Sequence, residues 1–179
     1  MKKELLIIGI TLVLLAVSLS GCLDTSKEDE LRGLGYSNTV YGFGLNPPSG
    51  WTTDESGLMG SIVIFYGPTE DNFTVNVFVT AGQLETGETL SDSVEEVIEF
   101  YTNYFTNFSL LSSNVRIVNG MTAHEIIYTY LQGVNNLKQK QVMVEKSRKT
   151  IILTYSAIVS SYDNYLSVFD QSVGSIVII

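Results

Sequence analysis

Apolar and polar positions alternate with a period of two from Phe73 through Val75, Val77, Val79 and Ala81, with Thr74, Asn76, Phe78 and Thr80 between them. Successive strand side chains point to opposite faces, so this pattern predicts a strand with one apolar face and one mixed face. Ile151, Leu153, Tyr155, Ala157 and Val159 repeat the alternation. Between the two, the period changes. Val94, Val97, Ile98, Tyr101, Phe105 and Phe108 fall on one helical stripe, with Glu95, Glu96 and Glu99 off it. Asp92 before Glu95, or Ser93 before Glu96, is suited to cap its start. Tyr162, Leu166, Phe169 and Val173 predict a second helix. Further strands are expected over Ser61–Tyr66, Val115–Val118, Met121–Leu131 and Leu137–Lys146. Asn119-Gly120 reads as a hairpin turn, since both residues tolerate a positive φ. Asn46-Pro47-Pro48-Ser49-Gly50 reads as a turn cluster, and residues 133–136 as a loop. The terminal Ile176-Val177-Ile178-Ile179 is expected to dock as a last short strand, because four exposed aliphatics would invite aggregation. The sum is an α+β fold: a central antiparallel β-sheet flanked by amphipathic helices, over residues 39–179.

The first residues follow a different rule. Lys2 and Lys3 precede a nearly continuous apolar run from Leu5 to Val17, which is a positive n-region followed by an h-region. Leu19-Ser20-Gly21-Cys22 then resembles the lipobox of secreted lipoproteins. That resemblance implies cleavage after residue 21 and a lipid on Cys22, with the remaining chain on the extracytoplasmic side. Two alternatives stay open: an uncleaved signal anchor, since Leu5–Leu23 is long enough to span a core of about 30 Å, and a buried core helix. Residues 22–38, charged and without apolar periodicity, are read as the lipidated Cys and a tether; a short helix over Glu28–Leu31 is the alternative.

Within the folded part, Tyr41-Gly-Phe43-Gly-Leu45-Asn-Pro47-Pro48-Ser-Gly50-Trp51 resembles the opening of PsbP-like domains. Thr150–Ala157, Ser160-Ser-Tyr162-Asp163, Phe169 and Ser175-Ile176 resemble the closing strand and last helix of that family. The resemblance implies a central antiparallel sheet sandwiched by helices. Members of the family occur as extrinsic photosystem subunits and as lipoproteins. No metal-binding or photosystem-docking residue matches position by position, so the photosynthetic role is not expected here.

Composition narrows the chemistry. The 179 residues carry 10 Lys+Arg against 19 Asp+Glu, a net charge of −9, and this becomes −10 without the leader. An acidic chain with no basic cluster is a poor fit to nucleic-acid binding. One Cys excludes a disulfide framework or a Cys-rich zinc site, and one His excludes an all-His metal site. The paired glycines Gly33/Gly35 and Gly42/Gly44 do not extend to a phosphate-binding motif. No cofactor or metal is expected, and no catalytic residue. His124 has no G-x-S-x-G serine and no Cys nucleophile to serve once the leader is removed, and the adjacent Glu125 points to the opposite strand face. Glu95 and Glu99 share a helix face but lack the oxygen density of a calcium loop. Phe43 and Trp51 are expected in the core.

What remains is a face and two sequons. His124, Ile126, Tyr128 and Tyr130 share one strand face, which becomes a binding surface if it is uncovered. Asn72-Phe-Thr74 and Asn107-Phe-Ser109 are N-glycosylation sequons on an exported domain. The reading is therefore a lipid-anchored, extracytoplasmic, non-catalytic binding or assembly factor for a membrane or envelope protein partner. The alternatives are a small-ligand receptor or enzyme with a Tyr/carboxylate pocket, and a structural envelope component.

Overall fold

The computed structural model describes residues 29–179. The leader, Cys22 and the first part of the expected tether lie outside the described residues. A small sheet is built by β1 (Tyr36–Asn38), β2 (Phe43–Leu45) and β10 (Val177–Ile178), in the order β1-β2-β10. A seven-stranded sheet follows from β3 (Thr52–Asp54), β4 (Val63–Glu70), β5 (Phe73–Gln83), β6 (Thr106–Val118), β7 (Met121–Gln132), β8 (Asn135–Lys146) and β9 (Lys149–Ile158). Its order is β3-β4-β5-β9-β8-β7-β6, and every pairing is antiparallel. Helix α1 (Leu90–Tyr104) connects β5 to β6, and α2 (Tyr162–Gly174) connects β9 to β10.

Alternation in the central strands assigns the layers. On β9, Ile151, Leu153, Tyr155 and Ala157 join a core with Phe43 and Leu45 of the small sheet and Phe169 and Val173 of α2. On the other side of the same strand, Ile152 and Ile158 join a second core with Leu90 and Val94 of α1 and Ile126, Tyr128 and Tyr130 of β7. The large sheet is thus covered on both faces, by α1 on one and by α2 with the small sheet on the other. Lys140 leaves β8 toward α2 and bonds Asp170 at 2.8 Å and Glu125 at 3.2 Å, pinning α2 to the sheet. Phe43 is fully buried as expected. Trp51 is half-buried, with its ring against the Gly67 backbone: a Cβ there would lie 2.6 Å from the indole.

Turn chemistry sets the registers. Asn119 and Gly120 take φ of 49° and 78° and join Val118 to Met121, as the sequence predicts. Asp71-Asn72 and Ser147-Arg148 make the same two-residue turn without glycine. Arg148 is held there by its guanidinium, which donates to the Leu84 carbonyl at 2.6 Å. The expected last strand is present as β10, where Val177 pairs with Gly44 and Ile178 with Phe43.

Four local expectations change. The cap of α1 is Thr89 with Asp92, a reciprocal box one turn earlier than expected. The helix stops at Tyr104, although the apolar stripe runs on to Phe108; Asn107 at φ 54° and a bulge return the Phe108 ring to Tyr101 and Tyr128. The strand expected over Val115–Val118 extends back to Thr106, because its polar residues face solvent at a sheet edge and two bulges break the alternation. Residues 29–31 are helical, Leu31 is buried and Tyr36–Asn38 pairs with β2, so packing reaches into the segment read as a tether.

Replacing Phe169, which stacks on Tyr155 with 5.6 Å between ring centroids and is fully buried, with Ala is expected to cost about 3–5 kcal/mol. Urea unfolding measures it, with Val134→Ala at an exposed turn staying within about 0.5 kcal/mol of the parent.

Candidate functional site

Antiparallel registers carry one polar row across four strands. Asn76 on β5 lies opposite Ser156 on β9, Ser156 opposite Gln139 on β8, and Gln139 opposite Tyr128 on β7. Gln139 is the hub. Its carbonyl accepts from the Tyr128 hydroxyl, and its amide donates to Ser156 Oγ at 2.6 Å and to Tyr130 Oη at 3.2 Å. All four side chains are buried, and a buried polar network is tolerable only when its members are satisfied, as here.

Above this row is a cleft of about 190 Å³. Tyr130, Gln139 and Ser156 form its polar floor, while Tyr66, Phe73 and Phe78 supply apolar walls. Leu58 and Met59 stand at its rim on a short 3-10 turn, Leu58–Gly60. Met59 is 84% exposed and takes φ 56°, between Gly57 at 78° and Gly60 at 76°. A non-glycine residue in left-handed backbone, displaying a flexible thioether to solvent, is an arrangement associated with adaptable binding surfaces. A wider, open depression of about 720 Å³ lies beside Asn119 and Lys146, but it borders Glu30 at the start of the described residues.

The face of His124, Tyr128 and Tyr130 is not the open surface that the sequence left as a condition. All three are buried beneath α1 and its aromatic residues; Phe105 stacks on Tyr130 with centroids 4.1 Å apart. Only Tyr130 reaches the cleft. Burial, with Tyr101 adding to it, raises the Tyr128 hydroxyl far above the usual phenol range and pushes Tyr130 up to about 12. Neither phenol supplies a phenolate near neutral pH. His124 Nε2 lies 2.8 Å from Ser113 Oγ, but its Nδ1 is buried without a partner, so no acid orients the ring. Glu125 is turned to the opposite face, where it pairs with Arg116 and Lys140. Glu95, Glu96 and Glu99 are exposed. Among the described residues, no group of three His, Cys, Asp or Glu is placed to hold a metal ion. Asn72 is exposed in the β4–β5 turn and Asn107 is exposed at the start of β6.

The sequence offers Tyr130 as a candidate on the His124 face, but its strand alternation carries no sign of the cleft. Gln139 and Ser156 look like ordinary polar positions within strands, and only register shows that they meet. Gly57-Leu-Met-Gly60 was the one local signal, a glycine-bracketed apolar pair in a loop.

A seven-stranded antiparallel sheet covered on both faces, with a buried polar row beneath one cleft, defines an α+β domain. The chain belongs to the DcrB family, whose model matches residues 44–173. No curated protein matches it in sequence. Solved structures share the fold. The cyanobacterial PsbP protein CyanoP of Synechocystis sp. PCC 6803 aligns with a TM-score of 0.62 at 22% identity, covering 80% of this chain and 91% of that one. A protein of unknown function from Pseudomonas aeruginosa, PA94, aligns at 0.58 and 15% identity, covering 71% and 83%. LpqN of Mycobacterium tuberculosis, described as involved in cell envelope biogenesis, aligns at 0.55 and 13% identity, covering 76% and 82%. The PsbP-like α+β architecture expected from the opening and closing phrases is therefore present.

The His124 environment gives a pH dependence. Burial lowers its pKa below the usual value of 6.5, with Glu95 partly opposing. The unfolded chain then binds the proton more readily, so stability is complete above the unfolded pKa and falls as pH drops through it. Between about pH 7 and pH 5, the thermal midpoint of the parent should fall further than that of His124→Gln. Equal slopes would show that His124 does not couple folding to pH.

Proposed function

We propose that the chain is an extracytoplasmic, membrane-anchored, non-catalytic binding factor of the cell envelope, and that the Met59 cleft receives an apolar side chain of a protein partner. The observation that carries this reading is the strained turn that holds Met59 in solvent beside a cleft with aromatic walls. The cleft is smaller than the roughly 300–1,000 Å³ of drug-sized ligand sites, which favours a side-chain anchor over a small-molecule receptor. Its floor hydroxyls are already paired with Gln139, so an occupant need bring no polar groups. The envelope assignment draws support from the description of LpqN and from the leader, in which Cys22 is the lipid attachment point. In this reading the anchor is the lipid at Cys22, which the lipobox-like Leu19-Ser20-Gly21-Cys22 supports. The exposed Asn72 and Asn107 are open to glycan transfer in a cell that has the machinery.

Two measurements test the parts separately. Metabolic fatty-acid labelling should mark the parent and be absent from Cys22→Ala; labelling that survives the substitution removes the lipid anchor. A photo-crosslinking side chain at position 59, in the full chain in its own cells, should give a discrete adduct. The same group at Val134, which is 95% exposed, should not. The adduct should weaken at least tenfold when Phe78→Glu places a charge in the cleft wall. No adduct at 59, or equal adducts at 59 and 134, would end the cleft reading.

A further inference from the structure

Strand β6 ends the large sheet, and no described strand pairs with its outer side. It is 13 residues long, far longer than the three-residue β3 at the opposite edge. Free edges are usually blunted by lysine, proline or brevity. From Thr106 to Val118 there is no Lys, Asp, Glu or Pro. The only charge, Arg116, is paired with Glu125 of β7. Leu111, Val115 and Ile117 stand between 54% and 64% exposed along this edge.

We propose that this edge is the interface of a two-fold dimer of this chain, in which β6 pairs antiparallel with β6 of a second copy and continues the sheet. The bulges at Thr106/Ser109 and Leu110/Ser112 deform the first half of the strand, and the pairing with β7 is regular from Ser112 to Val118. The centre of that regular stretch is Val115. A two-fold axis there sets Val115 against Val115 of the second copy, Ser113 against Ile117, and Asn114 against Arg116. No like charges meet, and the two most exposed aliphatics of the edge become covered. The partner is a second copy rather than an unrelated strand because this register is self-complementary. It also closes: β3 is three residues long and carries Asp54, so it offers no second edge along which the assembly grows.

Charge sets the strength. Two bodies of net charge −9 repel, and β6 is a neutral strip through which they approach. Seven residues span about 23 Å, an interface at the small end of the usual range, so dissociation in the micromolar range is expected. Salt screens the repulsion beyond about 8 Å and should tighten the dimer.

The test is sedimentation of the detergent-solubilised full chain across the micromolar range, with the melting curve of each variant confirming its fold. The parent should dimerise, more tightly with added salt. Val115→Lys places two ammonium groups opposite each other at the axis and should raise the dissociation constant at least tenfold. Val134→Lys, at a distant exposed turn, should leave it unchanged. Val115→Cys should oxidise to a covalent dimer in higher yield than Val134→Cys. A parent that stays monomeric to about 100 µM, a dimer indifferent to Val115→Lys, or equal cross-linking at both positions overturns the proposal.

Discussion

The ladder between β5 and β9 is the constraint on which the other features rest. Eight residue pairs, from Asn76 with Ser156 to Gln83 with Lys149, join segments more than sixty positions apart. The ladder welds the hairpin β3-β4-β5 to the meander β6-β7-β8-β9. It makes β9 central and buried on both faces, which is why its residues divide between two cores. Closing so long a loop carries an entropic cost, offset here by apolar side chains on both faces of β9.

The same ladder decides where function can sit. Because β9 must reach β5, the meander runs outward and leaves its first strand, β6, at the free edge. Because Asn76 pairs with Ser156, the polar row beneath the cleft crosses from the hairpin into the meander. A slip of one residue would turn Ser156 into the α2 core and present Tyr155 or Ala157 to the cleft. The cleft floor and the free edge are therefore two outcomes of one register.

Much of this fold was legible in the chain. Period-two alternation in Phe73–Ala81 and Ile151–Val159 gave the two central strands, and Asn119-Gly120 gave a turn, because local rules govern those features. The end of α1 was not legible. Phe105 and Phe108 continue the helical stripe by spacing alone, and it takes a positive φ at Asn107 and a bulge to carry the ring back to Tyr128. The length of β6 was hidden for a related reason: an edge strand needs no inward alternation on its solvent side. His124, Tyr128 and Tyr130 were placed on one face correctly, but whether that face is covered depends on where α1 lies. The cleft was least legible of all, since Gln139 and Ser156 meet only through tertiary register.

Layer dimensions explain why a cleft exists at that place. A helix is about 10 Å across and strands are about 4.8 Å apart, so one helix covers two or three strands. On the α2 face, three short strands and a helix share the seven-stranded sheet. On the other face α1 works alone, packing on β6 and β7 with its apolar stripe. The strip over β4, β5 and the far half of β9 is left to side chains and the Leu58–Gly60 turn. Phe78 and Tyr66 wall that strip, and Gln139 ties off the polar groups beneath it. A second helix there would seal the domain. The sequence instead places Gly57-Leu-Met-Gly60, with a methionine held outward at a backbone angle that costs energy. The opening arises from the deficit of one helix on that face, and the turn at its rim covers it only partly.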